Sequence, residues 1–99
     1  MLDYKVSPKA ERYFKKIKDK ELKSCYYSAI KDIRANPHIG TPKKGNLSAV
    51  YGYDIYYKGV NYEIAYEVVE LDGQLIIIIL AGTRENFYKE LAKYMRSRS

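Results

Sequence analysis

The chain has 99 residues, of which 46% are apolar and 30% are charged, and its formal net charge is +6. A chain this short forms one domain, here residues 1–99, and this composition excludes a disordered protein. The single cysteine, Cys25, excludes an internal disulfide, and the seven-residue apolar run Leu75 to Ala81 is too short to cross a membrane as a helix. We therefore expect a cytoplasmic protein with no membrane partner.

The positive charge is concentrated in the first half of the chain. Residues 1–50 contain 12 lysines and arginines against five acidic residues, whereas residues 51–99 contain six against seven. A basic half favours a polyanionic partner, such as nucleic acid or an acidic protein segment. Lysines that merely solvate exposed helix faces would give the same count, so both interpretations stay open.

The N-terminal third predicts a strand followed by two helices. Apolar residues alternate with charged ones up to Val6, which indicates a short strand with one buried face. Ser7 and the proline after it are a helix-start signal, and apolar residues then recur at helical spacing. A second helix follows Asp19 and should end near Asn36, because Pro37 disfavours helical geometry in the residue before it.

The rest of the chain predicts a loop, three strands and a last helix. Residues 36–48 are rich in proline and glycine and indicate a loop. From residue 50 the pattern has period two, with turns at 58–59 and 72–73, which predicts an antiparallel meander. Gly82 should end the last strand, and Thr83 should cap a helix that buries Phe87 and Leu91.

The predicted fold class is therefore α+β, in the order β-α-α-β-β-β-α. A small, mostly antiparallel, four-stranded sheet should carry the two N-terminal helices on one face, with a further helix at the C-terminus. We expect Tyr53, Ile55 and Tyr57 to pack on the N-terminal helices, since only this register buries both apolar helix stripes. Asp54 and Glu63 should then be exposed on the other, open face, where a ligand has room to bind.

Three local motifs, in this order, resemble the RelE/ParE toxin superfamily over nearly the whole chain. They are Tyr4 to Ala10, the strand pair Tyr53 to Ile55 and Tyr62 to Glu67, and Ile79 to Tyr88. The resemblance implies the toxin of a bacterial type II toxin–antitoxin module, silenced by a cognate antitoxin. Its activity would be that of a messenger-RNA interferase, an endoribonuclease that acts on mRNA at the ribosome and needs no metal and no small-molecule cofactor.

The same resemblance suggests which residues would act on RNA. In such cleavage a 2′-hydroxyl attacks the adjacent phosphate, so the enzyme must stabilise negative charge and transfer protons. Arg84 and Tyr88 match the family's charge-stabilising and proton-transferring positions, on one face of the last helix, and Glu63 would be the general base if it lies beside Arg84. Lys43, Lys44 and Tyr56 are the predicted RNA-contacting residues.

Each assignment has a plain structural alternative. Arg84 would otherwise form an ion pair with Glu63, Glu67 or Asp54, and Tyr88 would pack its ring against the sheet. The family's nucleases usually carry basic residues where this sequence has Asp54, Tyr56 and Glu63, and carboxylates repel a phosphate backbone. A protein-binding toxin of the ParE kind, which inhibits DNA gyrase, and a degenerate member that only binds its antitoxin therefore remain alternatives.

Overall fold

In residues 1–43, 50–70, 72–85 and 87–98, which are those that the structure describes, the computed structural model contains five strands and three helices. The elements are β1 (Asp3–Val6), α1 (Pro8–Lys16), α2 (Lys20–Ala35), β2 (Thr41–Pro42), β3 (Val50–Tyr57), β4 (Val60–Glu70), β5 (Gln74–Thr83) and α3 (Phe87–Arg98). None of the described helices is long and apolar enough to cross a membrane. The order of elements follows the prediction, apart from one additional strand.

The strands form a single sheet in the order β1-β5-β4-β3-β2. β1 is parallel to β5, and the other neighbouring pairs are antiparallel. The α+β class with a mostly antiparallel sheet is thus confirmed, but the sheet has five strands and not four. The additional strand, β2, lies in the segment predicted as a loop and pairs Thr41 with Gly52. Two residues are too few to show strand periodicity, so the sequence gives no sign of it.

Side-chain caps start both N-terminal helices where the sequence predicts them. The Ser7 hydroxyl accepts a hydrogen bond from the backbone N–H of Ala10 at 3.1 Å. The Asp19 carboxylate accepts from the backbone N–H of Glu21 at 3.0 Å and of Leu22 at 3.3 Å. These bonds satisfy N–H groups that have no partner within the helix.

A β-bulge in β5 interrupts its pairing with β4. Ala65 lies opposite Leu80 and Tyr66 lies opposite Ile78, so Ile79 has no partner residue of its own. Ile79 and Leu80 consequently both pack in the hydrophobic cluster that includes α3. The Ser7 hydroxyl donates a hydrogen bond of 2.6 Å to the Ile79 carbonyl oxygen. One buried serine therefore both caps α1 and satisfies the bulge.

Ser7→Ala is expected to lower the free energy of unfolding by about 1–3 kcal/mol, since it removes the cap and leaves the Ile79 carbonyl without its donor. Urea denaturation followed by circular dichroism measures the change. Ser24→Ala, at an exposed position of α2, is the matched control and should stay within roughly 0.5 kcal/mol of the wild type. Equal transition midpoints for the two variants would contradict the double use of Ser7.

The sheet has a hydrophobic cluster on each face. On one face Ile55 packs in the cluster of α1 and α2, and the neighbouring tyrosine rings pack against it. The Tyr57 hydroxyl donates to Asp19 at 2.8 Å and the Tyr53 hydroxyl donates to Asp32 at 3.1 Å, which ties β3 to α2. The predicted packing of this side of the meander on the N-terminal helices is thus confirmed.

The opposite face is not left open, because α3 covers part of it. Phe87 and Leu91 of α3 are buried there against Val50, Ala65 and the two bulge residues. This face is called the α3 face below. The inward positions predicted for the last helix, Phe87 and Leu91, are confirmed.

The end of β5 differs from the prediction. Gly82 pairs with Glu63 and Thr83 pairs with Tyr62, so the strand continues through the glycine to Thr83. β4 is long enough to provide these partners, and a paired glycine does not break a ladder. Thr83 is therefore a strand residue and not the cap of α3. Arg84 lies in the turn before α3. The prediction that Arg84 and Tyr88 share the last helix is therefore wrong.

Candidate functional site

The register of the meander brings several predicted site residues together on the α3 face. Asp54 of β3 lies opposite Glu63 of β4, and Glu63 lies opposite Gly82 of β5. The turn after β5 adds Arg84 at the end of this row, and the first turn of α3 adds Tyr88. The site is therefore built on three paired strands and the first turn of a helix.

Lys43, Glu63 and Tyr88 form a hydrogen-bonded cluster. The Lys43 ammonium donates to the Glu63 carboxylate at 2.6 Å and to the Tyr88 hydroxyl at 2.8 Å. It also lies 4.2 Å from the centroid of the Tyr88 ring, the geometry of a cation–π contact. Burial lowers the pKa of Lys43, but the hydrogen bonds to Glu63 and Tyr88 outweigh burial and leave the pKa above its ordinary value. Lys43 is thus charged at neutral pH.

The burial of Glu63 contradicts the prediction that this carboxylate is exposed. Its side chain is 1% exposed and that of Lys43 is 9% exposed. Glu63 is covered because the lysine reaches it from the segment after β2 while α3 packs on the same face. Neither cover is visible in the alternation of β4, which shows only that Glu63 faces away from α1 and α2.

Gly52, which is not among the predicted site residues, makes room for the lysine. A Cβ atom at this position would clash with the Glu63 carboxylate and would lie 2.6 Å from both Cε and Nζ of Lys43. Lys43 can cross β3 to reach Glu63 only because residue 52 has no side chain. A glycine in the middle of a strand often marks such a close approach, and this signal was present in the sequence.

Tyr66 is a second residue of structural importance to the site that is not among the predicted site residues. Its hydroxyl donates to the Pro37 carbonyl at 2.8 Å and accepts from the Gly40 N–H at 3.0 Å. A Cβ atom at Gly40 would lie 2.7 Å from this hydroxyl, so the close approach needs glycine. The buried tyrosine thereby fixes the segment that leads into β2 and Lys43. One tyrosine among twelve gave no sign of this.

Arg84 forms its ion pair with Asp54, one of the three partners that the sequence offered. The two groups are 3.6 Å apart, and their side chains are 47% and 45% exposed. Asp54 is the main cause, followed by Tyr88, of a raised pKa of Arg84, so the guanidinium stays charged. Exposed pairs of this kind contribute little to stability and exchange partners readily. Arg84 is accordingly accessible to an anionic ligand.

A family model for the ParE-like toxin of type II bacterial toxin–antitoxin systems matches residues 4–92. The chain belongs to this family of toxins. No curated protein matches the sequence significantly.

Solved structures show the same fold for this ParE-like toxin. A double arginine-to-alanine mutant of the E. coli toxin RelE in the free state superposes with a TM-score of 0.75 at 13% identity, covering 98% of this chain and 96% of that one. RelE in the intact E. coli RelBE toxin–antitoxin complex gives 0.66 at 15% identity, over 83% and 95%. The RelBE2 complex of Mycobacterium tuberculosis gives 0.63 at 18% identity, over 84% and 98%.

The toxin's predicted site residues differ in accessibility. Tyr88 is 45% exposed and Tyr56 is 74% exposed, while the neighbouring Phe87 is buried. Tyr88 is not among the side chains that pack in the hydrophobic cluster of the α3 face, and its ring contacts the Lys43 ammonium. Lys44 lies outside the described residues. No group of three His, Cys, Asp or Glu that could hold a metal occurs in the described part of the chain.

Proposed function

We propose that this toxin is an endoribonuclease that cleaves messenger RNA without a metal and is silenced by a cognate antitoxin. The observation that supports the proposal is the surroundings of the Tyr88 hydroxyl. This phenol is exposed, and its oxygen lies 2.8 Å from the Lys43 ammonium nitrogen. The accessible guanidinium of Arg84 lies at the same edge of the site. An acid beside two cations suits a reaction that builds negative charge on phosphate and expels an alkoxide.

The proposed reaction uses Arg84, Asp54 and Tyr88 in one step. Arg84 exchanges Asp54 for the scissile phosphate and stabilises the charge that develops on it. The ribose 2′-oxygen attacks phosphorus and passes its proton to the freed Asp54 carboxylate. The bond to the 5′-oxygen breaks, and this oxygen takes the proton of Tyr88. The products are a 2′,3′-cyclic phosphate and a 5′-hydroxyl, and the two side chains exchange protons with water afterwards.

In this scheme Glu63 and Lys43 support the acid and do not touch the phosphate. The Glu63 carboxylate is buried and bonded to Lys43, so Asp54 is the carboxylate that a bound RNA reaches. The Lys43 ammonium stabilises the phenolate that remains on Tyr88. The predicted functions of Glu63 as general base and of Lys43 as an RNA contact are thereby replaced, and Lys44 and Tyr56 stay proposed RNA contacts.

One observation favours a protein-binding toxin instead. Lys43 pairs with Glu63, and Arg84 pairs with Asp54, so the site is nearly neutral and attracts a polyanion weakly. A gyrase inhibitor of the ParE kind needs no phosphate-transfer site and would tolerate this pairing, as would a member that only binds its antitoxin.

The antitoxin is the proposed protein partner, and the ribosome with its mRNA is the proposed site of action. Two of the solved relatives are toxin–antitoxin complexes. The net charge of +6 suits a partner segment that is acidic and has apolar anchors.

Induction of the toxin in growing bacteria distinguishes a ribonuclease from a gyrase inhibitor. We expect growth arrest with new mRNA 5′ ends within minutes, mapped by sequencing, and unchanged plasmid supercoiling. If the neighbouring gene encodes the proposed acidic antitoxin, its co-expression should restore growth, and its product should co-purify with the toxin at moderate salt. Intact mRNA with altered supercoiling would contradict the ribonuclease proposal and favour gyrase inhibition. If the product of the neighbouring gene does not co-purify, the proposed toxin–antitoxin pair is wrong.

A further inference from the structure

Lys43 reaches the candidate site from a segment that makes few hydrogen bonds of its own to the sheet. This segment, residues 36–43, leads from the end of α2 through β2 and is called the β2 segment below. β2 has only two residues, and one of them, Pro42, has no N–H to donate to β3. The Lys43 N–H donates to the Val50 carbonyl at 2.8 Å. So short a ladder needs a further anchor if the Lys43 ammonium is to stay in one place.

The Tyr66 hydroxyl supplies such an anchor. It donates to the Pro37 carbonyl at 2.8 Å and accepts from the Gly40 N–H at 3.0 Å, so it bonds to the β2 segment at two points. Burial raises the pKa of Tyr66, and the hydroxyl therefore keeps the proton that it donates. An added Cβ atom at Gly40 would lie 2.9 Å from the Gly52 carbonyl oxygen. The anchor thus holds the segment against the same residue of β3 that Lys43 crosses.

Tyr66 acts from the opposite side of the sheet. Its side chain is fully buried in the cluster of α1 and α2. The Lys43 ammonium, by contrast, bonds to Glu63 and Tyr88 on the α3 face. β2 lies at the edge of the sheet, next to β3, and so connects the two faces. The Tyr66 hydroxyl therefore cannot touch an RNA bound at Tyr88, and it can affect the reaction only through the β2 segment.

We infer that Tyr66 is a positioning residue of the proposed ribonuclease, which holds the Lys43 ammonium against the Tyr88 hydroxyl through the β2 segment. The inference rests on the proposed function, in which Lys43 stabilises the phenolate that remains on Tyr88. A cation that is already in place stabilises developing charge without reorganisation, and misplacement by about 1 Å can slow a reaction roughly a hundredfold. Loss of the Tyr66 hydroxyl should therefore slow cleavage.

Tyr66→Phe tests the inference, and Tyr26→Phe is its matched control. Both tyrosines are fully buried in the same hydrophobic cluster. The Tyr26 hydroxyl is hydrogen-bonded to the Tyr13 hydroxyl at 2.9 Å, away from the β2 segment. At position 66 the phenylalanine ring keeps its stacking on Tyr51, whose ring centroid is 5.4 Å away. Each substitution thus removes one buried hydroxyl and leaves the ring in place.

The first measurement is NMR of the whole toxin without RNA. The Cε–Hε signals of Lys43 report its position, because the Tyr88 ring centroid lies 4.2 Å from the ammonium and shifts signals close to it. We expect Tyr66→Phe to move these signals toward those of exposed lysines and Tyr26→Phe to leave them unchanged. Gly40→Ala, which must push the β2 segment away from the Tyr66 hydroxyl, should move them too. Unchanged Lys43 signals in Tyr66→Phe and Gly40→Ala would overturn the inference.

The second measurement is single-turnover cleavage of mRNA on isolated ribosomes. Tyr66→Phe should lower the maximal rate by about tenfold or more. The toxin concentration that gives half the maximal rate should stay the same, because no RNA contact is removed. Tyr26→Phe should cut at the wild-type rate. In the variant that carries both Lys43→Met and Glu63→Leu, Tyr66→Phe should not lower the residual rate further, since the lysine that it positions is absent.

The possible failures can be told apart. An equal loss of rate in Tyr66→Phe and Tyr26→Phe, or a further loss in the variant without Lys43, would show that Tyr66 supports the fold and does not position the lysine. If Tyr66→Phe moves the Lys43 signals but the wild type cuts no mRNA, the ribonuclease proposal fails. The catalytic importance of Tyr66 then falls with it, while the link from Tyr66 to Lys43 stands.

Discussion

Replacement of Tyr88 by phenylalanine, or of Arg84 by alanine, is expected to abolish growth arrest by this toxin. Each change removes a group that the proposed reaction needs, and loss of one donor that stabilises developing charge typically slows a reaction on the order of a hundredfold or more. The measurement is growth after induction, with mRNA cleavage followed in the same cultures. Tyr27→Phe on α2 and Arg12→Ala on α1, both at exposed positions, should remain toxic.

These substitutions spare the fold, so a loss of toxicity can be assigned to chemistry. Phenylalanine at position 88 keeps the ring that Lys43 contacts, and Arg84 forms an exposed ion pair of little structural weight. Thermal unfolding of each purified variant checks this point. If the wild type and both variants arrest growth equally while mRNA stays intact, the ribonuclease proposal is wrong and the protein-binding alternative replaces it.

Breaking the buried ion pair from either side is expected to be strongly destabilising. Lys43→Met leaves the Glu63 carboxylate buried without a counter-charge, and Glu63→Leu leaves the Lys43 ammonium buried without one. Removal of one partner of a buried pair usually lowers the free energy of unfolding by about 3–5 kcal/mol. Chemical denaturation of each variant, expressed with its antitoxin if necessary, measures the loss.

The double variant Lys43→Met with Glu63→Leu should recover most of this loss, because apolar side chains can replace a buried ion pair at little cost. The exposed pair of Lys9 and Glu90, 2.9 Å apart, is the matched control, and the same two kinds of substitution there should have far smaller effects. A double variant as unstable as the two single losses added together would show that the groups do not interact. If it folds, it should lack toxicity, since the Tyr88 phenol has lost its cation.

The elements that the sequence predicted well depend on neighbours along the chain. Ser7 and Asp19 cap the helices that follow them, and the alternation after residue 50 set the register of the meander, because each signal acts within a few residues. The same alternation placed Asp54 and Glu63 on the correct face.

The site itself depended on contacts between distant parts of the chain. The strand alternation cannot show that Lys43 crosses β3 at Gly52. The prediction from that alternation therefore has Glu63 exposed, whereas the structure has it buried. Arg84 was placed on a helix because Gly82 was read as a strand break, whereas the length of β4 carries β5 past it. Both errors come from partners more than ten residues away, which local patterns do not contain.

The parallel pairing of β1 with β5 also constrains how the toxin folds. Ser7 and the bulge carbonyl that it contacts are 72 residues apart, and among the strands that the structure describes β1 pairs with β5 alone. The meander closes through two short turns, whereas β1 gains a partner only after a long loop has been closed at a cost in chain entropy. We therefore expect the hairpins to form before the N-terminal strand docks, and docking of β1 to be a late step that completes the sheet.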